Sequence, residues 1–336
     1  MKTVQGKLRL ISYNIAGLPA KSLFEEKRSV RADAAEIGRQ VRAAGCDLLA
    51  VQEDFSNYRP LRQALGAPYH SFSKGNVPAG DGTDIFSQYP IYNTVHVPWE
   101  RLYGGFTYGA ADEYTPKGFL HAVMALAPGA YVDIYNLHAV AGAYDEWESA
   151  WNEPSPAGEC RRANFRQLAA YMQKHSANRA VIVLGDFNTV LWKVCDGLYD
   201  ALIAPCGLQD TWAELFNNGK MAYDGGDWTG GVTRDGGSAE HIDRILYRSG
   251  GAVSFTIAEA AALPWKNAKG RSLSDHDSWT ATLGYTISGK REGSDVNLRL
   301  PAPMPAGERL RGYVAGFKHD AALLAKEMPQ LLGKKK

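Results

Sequence analysis

AVIVLGDFN (180–188) is the stretch on which the reading of this chain turns. Its apolar run, rich in β-branched residues, is too short for a buried helix. It stops at Gly185, and Asp186 and Asn188 follow at once. A short continuous apolar run closed by glycine reads as a strand buried on both faces. Polar side chains at its end are then held on a rigid element. Six further runs share this character: LRLISYN (8–14), DLLAVQE (47–53), FLHAVMAL (119–126), VDIYNLHAV (132–140), HIDRILYR (241–248) and SWTATLGYTI (278–287). Two stretches have helical spacing instead. In 25–44, Val30, Ile37 and Val41 share a face with Ala34 between them, and Gly45 stops the run. In 161–176, Phe165, Leu168 and Met172 do the same. Helices interleaved with many strands predict an α/β or α+β domain.

The 336 residues, 45% hydrophobic and 22% charged, predict an ordinary globular core. Net charge is +1, without the basic excess of a protein that holds DNA mainly through its phosphates. No apolar run of about 18 residues is present, so no spanning helix is expected. Met1 to Leu10 contain no apolar signal-peptide core. Cys46, Cys160, Cys195 and Cys206 fit no zinc spacing. Cys195 and Cys206 could close a short disulfide loop; the plainer reading is four free, mostly buried thiols. Beyond Ile287 the character changes. Prolines cluster at 301–305, and 308–332 carries Leu310, Val314, Phe317, Ala321 and Leu324 at helical spacing before Lys334, Lys335 and Lys336. This divides the chain into a domain over 1–287 and, over 288–336, a proline-containing linker with a helical appendage. The helix is expected to dock on the core, with a membrane-facing helix as the lesser reading.

Two long loops stand out. Residues 99–118 carry Trp99, Tyr103, Phe106, Tyr108 and Tyr114, and residues 141–160 carry Trp147 and Trp151 among Asp145, Glu146, Glu148 and Glu153. Either the aromatics pack locally or they meet a lipid interface or headgroup.

The chemistry lies in where the strands end. LRLISY ends in Asn14, LLAVQ in Glu53, VDIYNL in His138 and AVIVLG in Asp186. Asp243 opens another strand, and Asp275 and His276 precede the last. If these ends share one edge, several carboxylates converge and require a cation. Oxygen donors without thiolates favour a hard ion such as Mg²⁺. Two histidines beside carboxylates supply an acid and a base. Such a set suits attack of water on a phosphate ester. Each motif alone is commonplace; their order across the domain is the specific signal.

That order, SYN, QE, NLH, GDFN, ID and SDH, resembles the endonuclease/exonuclease/phosphatase superfamily over about residues 8–287. The resemblance implies a four-layer αββα sandwich of two mainly antiparallel sheets, with a Mg²⁺ site at one end, where Mn²⁺ or Ca²⁺ are alternatives. It implies that Glu53 is the main metal-binding carboxylate, that Asn14 helps to hold metal or the substrate's phosphate, and that Asp275 lies near the metal. His138 would contact the phosphate and the leaving oxygen. Asp186 and Asn188 would position water and phosphoryl oxygen. His276 would be the general base, oriented by Asp243, and Asp81 or Asp84 would support the first histidine. One departure is that SDH continues here with Asp277 and Ser278, where relatives place an apolar residue or proline.

TPKGF (115–119) resembles the Lys-Gly motif of the neutral sphingomyelinase branch. Lys117 there would neutralise a phosphate; the competing reading is a solvated lysine before a strand. The resemblance implies a phospholipid phosphodiester at a membrane surface as substrate, no transmembrane segment, a monomer, and a secreted rather than cytoplasmic location. A deoxyribonuclease I-like endonuclease acting on nucleic acid is the alternative. A phosphatase for inositol or small phosphate esters and an inactive binding module complete the set.

Overall fold

The computed structural model describes residues 3–18, 29–71, 80–103, 117–142, 152–221, 241–288, 298–299 and 306–333. Twelve strands form two six-stranded sheets. The first is built, in spatial order, from β11 (Val253–Leu263), β12 (Ser278–Ile287), β1 (Val4–Asn14), β2 (Leu48–Gln52), β4 (Asp84–Ser87) and β3 (Tyr69–His70). The second is built from β5 (Ile91–Pro98), β6 (Gly118–Ala127), β7 (Ala130–His138), β8 (Ala180–Asp186), β10 (Asp243–Arg248) and β9 (Gln209–Asp210). Each sheet has one parallel pair, β1 with β2 and β7 with β8; the other pairs are antiparallel.

The alternation along β1 sets the layers. Leu8 and Leu10 join the cluster that includes Ile134 and Leu137 of the opposing sheet, whereas Ile11 and Tyr13 join a second cluster under the helices. That second cluster is closed by α1 (Val30–Ala43) and α2 (Tyr58–Leu65) through Ile37, Val41, Leu61 and Leu65. Ile37 and Val41 are fully buried, and burial of such side chains contributes roughly 1.5–3 kcal/mol each. On the far side α3 (Pro156–His175) covers the second sheet, with Tyr171 edge-on to Phe119 and Phe165 against Phe187. The result is the αββα sandwich expected from the sequence.

Helix ends follow local chemistry. Ser29 caps α1 by accepting from Ala32 N, and Gly45 follows its end with φ +68°. The α3 helix starts earlier than its apolar spacing suggests, because Ser155 Oγ accepts from Gly158 N at 3.0 Å and Pro156 opens the first turn. Five strands were not legible as apolar runs. Among them β11 contains AEAAAL (258–263), a helix-favouring composition that pairing with β12 holds extended.

Of the two readings of the cysteines the free thiols hold, and one expectation about the last helix is corrected. All four cysteines are free, and Cys206 Sγ points to the Ala169 carbonyl rather than to Cys195. After the short α4 (Thr211–Phe216), the last helix, α5 (Ala306–Gly333), forms as expected, but Leu310, Val314, Phe317, Leu324 and Met328 are exposed rather than docked. Prolines 301–305 and Lys334–Lys336 lie outside the described residues, as do Phe106, Tyr108, Tyr114, Trp147, Trp151 and the acidic residues 145–148.

The turn into the site depends on a close backbone approach. A Cβ on Gly185 would overlap the Leu137 carbonyl oxygen in the parallel β7/β8 ladder. Gly185→Ala is therefore expected to destabilise the fold by about 3 kcal/mol, measured by urea melts.

Candidate active site

Strand register brings the functional side chains to one place. His138 lies opposite Asp186 across the β7/β8 ladder, and Asp243 lies opposite Asp186 across β8/β10. In the other sheet Asn14 is opposite Gln52, and Glu53 follows directly. The two sheets meet through Asn14, whose Nδ2 donates to Glu53 Oε1 at 3.1 Å and to Asp186 Oδ2 at 3.0 Å. The Asn14 amide is oriented by Ala16 N, which donates to Oδ1 at 3.0 Å.

Asp186 sits between two imidazoles. Its Oδ2 is 3.4 Å from His138 Nε2 and 3.9 Å from His276 Nε2. Burial alone would push the Asp186 carboxyl up. The His138 hydrogen bond and the charges of His276, His138 and Lys117 outweigh it and hold the group well below the usual carboxylate range. His276 Nδ1 is 2.7 Å from Asp243 Oδ2. Ser274 Oγ donates to the Asn14 carbonyl at 2.7 Å and accepts from His276 N at 3.2 Å, which ties this turn to β1. The SDH tripeptide is thus a capped turn that also places an imidazole.

Burial favours a neutral His276. The carboxylates of Asp243, Asp186 and Asp275 overcome that and push its pKa up to about 10. The sign for stability follows: a raised histidine contributes fully below its unfolded value near pH 6.5, and the contribution is lost as pH rises through about 10. In cation-free protein, NMR titration is expected to show His276 protonated well above pH 7. Asp243→Asn is expected to bring that transition down toward the ordinary histidine value. The stability gap between the two proteins is expected to be largest below pH 6.5 and to shrink toward pH 10.

Lys117 belongs to the site. It is 7% exposed, and its Nζ donates to the Ala139 carbonyl at 3.3 Å. Asn188 Nδ2 donates to the same carbonyl at 3.0 Å, and Asn188 N donates to Asp186 Oδ1 at 2.9 Å. The reading of Lys117 as a solvated lysine is thereby set aside. Backbone strain gathers here too. Ala16, Glu53 and Asn188 all have positive φ, at 48°, 56° and 49°, a conformation costing of order 1–3 kcal/mol for each side-chain-bearing residue. In return the Glu53 carbonyl accepts from Gly17 N at 2.9 Å.

Other expected residues stand elsewhere. Asp275 is exposed, with Oδ1 3.4 Å from Ser274 Oγ, and acts on His276 through its charge. Asp81 and Asp84 do not support His138, whose neighbouring carboxylates are Asp186 and, at 4.0 Å, Glu53. Instead, Asp81 faces His96 at 3.7 Å, while Asp84 accepts from Ser71 Oγ at 3.0 Å and lies beside the buried carboxyl of Asp54. Burial pushes Asp54 up to about 7 and Asp84 well above its ordinary value.

Two contributors escaped sequence reasoning. Trp99, grouped there with the loop aromatics, is buried, and its Nε1 donates to the His138 carbonyl at 2.7 Å. His241 stacks against Trp279 at 4.9 Å, with Nδ1 3.0 Å from the Asp243 carbonyl. Nothing in the sequence separates these two from core residues, except that His241 is two positions from Asp243.

The donor set fits a hard cation. Glu53 is the most open carboxylate of the converged group, with its side chain 23% exposed against 2% for Asp186 and Asp243. Among the described residues its Oε2 carries no hydrogen bond. Among the described residues no group of three or more His, Cys, Asp or Glu is arranged to hold a metal ion. A single open carboxylate suits Mg²⁺, which keeps most of its water and shares substrate oxygens, better than zinc. Asn14 offers its amide protons to the two carboxylates, so it positions Glu53 rather than competing with it for a cation.

Comparison with known proteins agrees with this geometry. Sphingomyelinase of Mycobacterium bovis is 29% identical over 296 residues, covering 84% of this chain and 53% of that protein. The chain thus spans about half the length of the curated relatives it matches. Among solved structures, TDP2 of D. rerio complexed with a single-strand DNA product has a TM-score of 0.57 at 18% identity, covering 83% of this chain and 99% of that one. Sphingomyelinase C from Streptomyces griseocarneus has a TM-score of 0.53 at 20% identity, covering 82% and 99%. A beta toxin from Staphylococcus aureus with bound magnesium ions has a TM-score of 0.53 at 17% identity, again covering 82% and 99%. At these identities the solved structures speak for the fold. The sequence profile of the endonuclease/exonuclease/phosphatase family matches residues 11–276, from the middle of β1 to the histidine of the Asp243–His276 pair, and the chain is a member of that family.

Proposed function

We infer that this family member is a divalent-cation-dependent phosphodiesterase that hydrolyses a phospholipid at its headgroup, in the manner of a sphingomyelinase C. The observation that carries the hydrolytic reading is Asp186, set between His138 and His276 and bridged to Glu53 by Asn14. The lipid reading draws on the relative named sphingomyelinase and on Lys117 inside the site. Water between Asp186 and His276 would lose its proton to His276 Nε2, with Asp243 holding the ring. Asp186 orients that water. Lys117, His138 and Asn188 surround the position where negative charge grows on the phosphoryl group, and fixed donors there favour the transition state. His138 Nε2 is placed to give a proton to the leaving oxygen. Glu53 would hold the divalent cation, which when bound would supply positive charge toward the phosphoryl oxygens and favour the neutral, basic form of His276.

The test is a substrate panel of sphingomyelin, phosphatidylcholine, supercoiled plasmid and bis-p-nitrophenyl phosphate, each with Mg²⁺ and with EDTA. The expected result is Mg²⁺-dependent release of phosphocholine. Nicked plasmid with untouched lipid would move the site to the nuclease reading, which the fold shared with TDP2 also accommodates.

A further inference from the structure

Helix α5 carries an apolar row that the sandwich leaves open. Leu310, Val314, Phe317, Leu324 and Met328 are 43–64% exposed. With Ala321 they recur at alternating steps of four and three, so one stripe runs along the 28-residue helix. The helix sequence carries Arg309, Arg311, Lys318 and Lys326 against Glu308, Asp320 and Glu327, and of these Arg311, Lys318 and Lys326 are exposed. Charge is also divided along the chain. Of 37 basic and 36 acidic residues, 306–336 hold seven and three, which leaves 30 and 33 for residues 1–305. Residues 1–305 are thus mildly acidic, while the basic excess of 306–336 comes mainly from Lys334–Lys336, just past the helix.

Steps of four and three also describe a coiled-coil seam, so a second copy is the rival occupant. The flanking sequence positions argue against it. In heptad register one flank reads Arg311, Lys318 and Ala325, and the other Tyr313, Asp320 and Glu327. A parallel pair would set Tyr313 toward Lys318, Asp320 toward Ala325 and Glu327 toward Leu332, closing no ion pair. An antiparallel pair would set the acidic flank against itself. Gly312, Gly316 and Pro329 within the helix also weaken it as a free-standing rod. An exposed apolar helix face followed directly by Lys334–Lys336 in the sequence suits an anionic lipid surface. No helix among the described residues is long and apolar enough to cross a membrane, so this one would lie in the interface.

We propose that α5 docks the protein on anionic membranes, with the Leu310–Met328 stripe in the acyl boundary and Arg311, Lys318 and Lys326 toward acidic headgroups. The proposal is independent of which ester the cleft hydrolyses. The full chain is sedimented with phosphatidylcholine vesicles with and without about 30% phosphatidylserine, in EDTA and without sphingomyelin, so that binding is read apart from catalysis. Binding is expected with the anionic vesicles and is expected to weaken at least about tenfold in high salt. Phe317→Glu with Leu324→Glu is expected to weaken it by at least about tenfold with an unchanged thermal melt, and Lys318→Glu with Lys326→Glu to remove most of the preference for anionic lipid. Failure of the wild type to bind would overturn the proposal, as would equal binding by the Phe317/Leu324 variant. A dimer in vesicle-free solution that this variant converts to monomer would assign the face to a second copy and overturn it as well.

Discussion

Glu53→Gln is expected to lower Mg²⁺-supported phosphodiester turnover by roughly a thousandfold while leaving the fold intact. Glu53 is the open carboxylate at the mouth of the site, and its Oε1 takes one amide proton of Asn14. A Gln carbonyl can keep that bond, so the shape of the pocket survives and only the negative charge is lost. Two measurements separate this from general damage. The urea midpoint of the apo protein is expected to stay near wild type, and the stabilisation that Mg²⁺ gives the wild type by mass action is expected to disappear. Turnover that is unchanged at saturating Mg²⁺ would remove Glu53 from the role of cation ligand.

His276→Ala is expected to cost about 10³-fold in kcat, with KM for a small diester little changed. The ring is 19% exposed, so its removal opens no deep cavity. What is lost is the only imidazole paired to the Asp243 carboxylate among the described residues. Asp243→Asn should fall between the wild type and His276→Ala, because it keeps the base but alters its proton affinity and orientation. Added imidazole should recover part of the activity of His276→Ala and none of that of Glu53→Gln. A His276→Ala protein with wild-type kcat would point to Asp186 as the proton acceptor instead.

Much of the site was legible because it is built at strand ends. A buried strand declares itself by its apolar run, and the residue that stops the run is fixed in register with its neighbours. This is why Asn14, Glu53, His138, Asp186 and Asp243 were found from LRLISYN, DLLAVQE, VDIYNLHAV, AVIVLGDFN and HIDRILYR. What the sequence hides is side-chain direction off the strands. Asp275 and His276 are neighbours, yet only His276 turns in to Asp243. Asp81 and Asp84 looked like partners for His138, but the β2/β4 pairing, in which Val51 faces Asp84, carries the segment to Asp54 instead. Trp99 looked like a loop aromatic and proved to be a buried donor to the His138 carbonyl. Edge strands such as β5, with polar and aromatic residues mixed through IYNTVHVP, have no period that separates them from loop.

The central claim is tested most directly by the initial rate of phosphocholine release from sphingomyelin vesicles. Wild type, Glu53→Gln and His276→Ala would be compared with Mg²⁺ and with EDTA. The account predicts release by the wild type with Mg²⁺ alone, and loss of at least about 10²-fold in both variants. Release that persists in EDTA, or that survives in either variant, would contradict it.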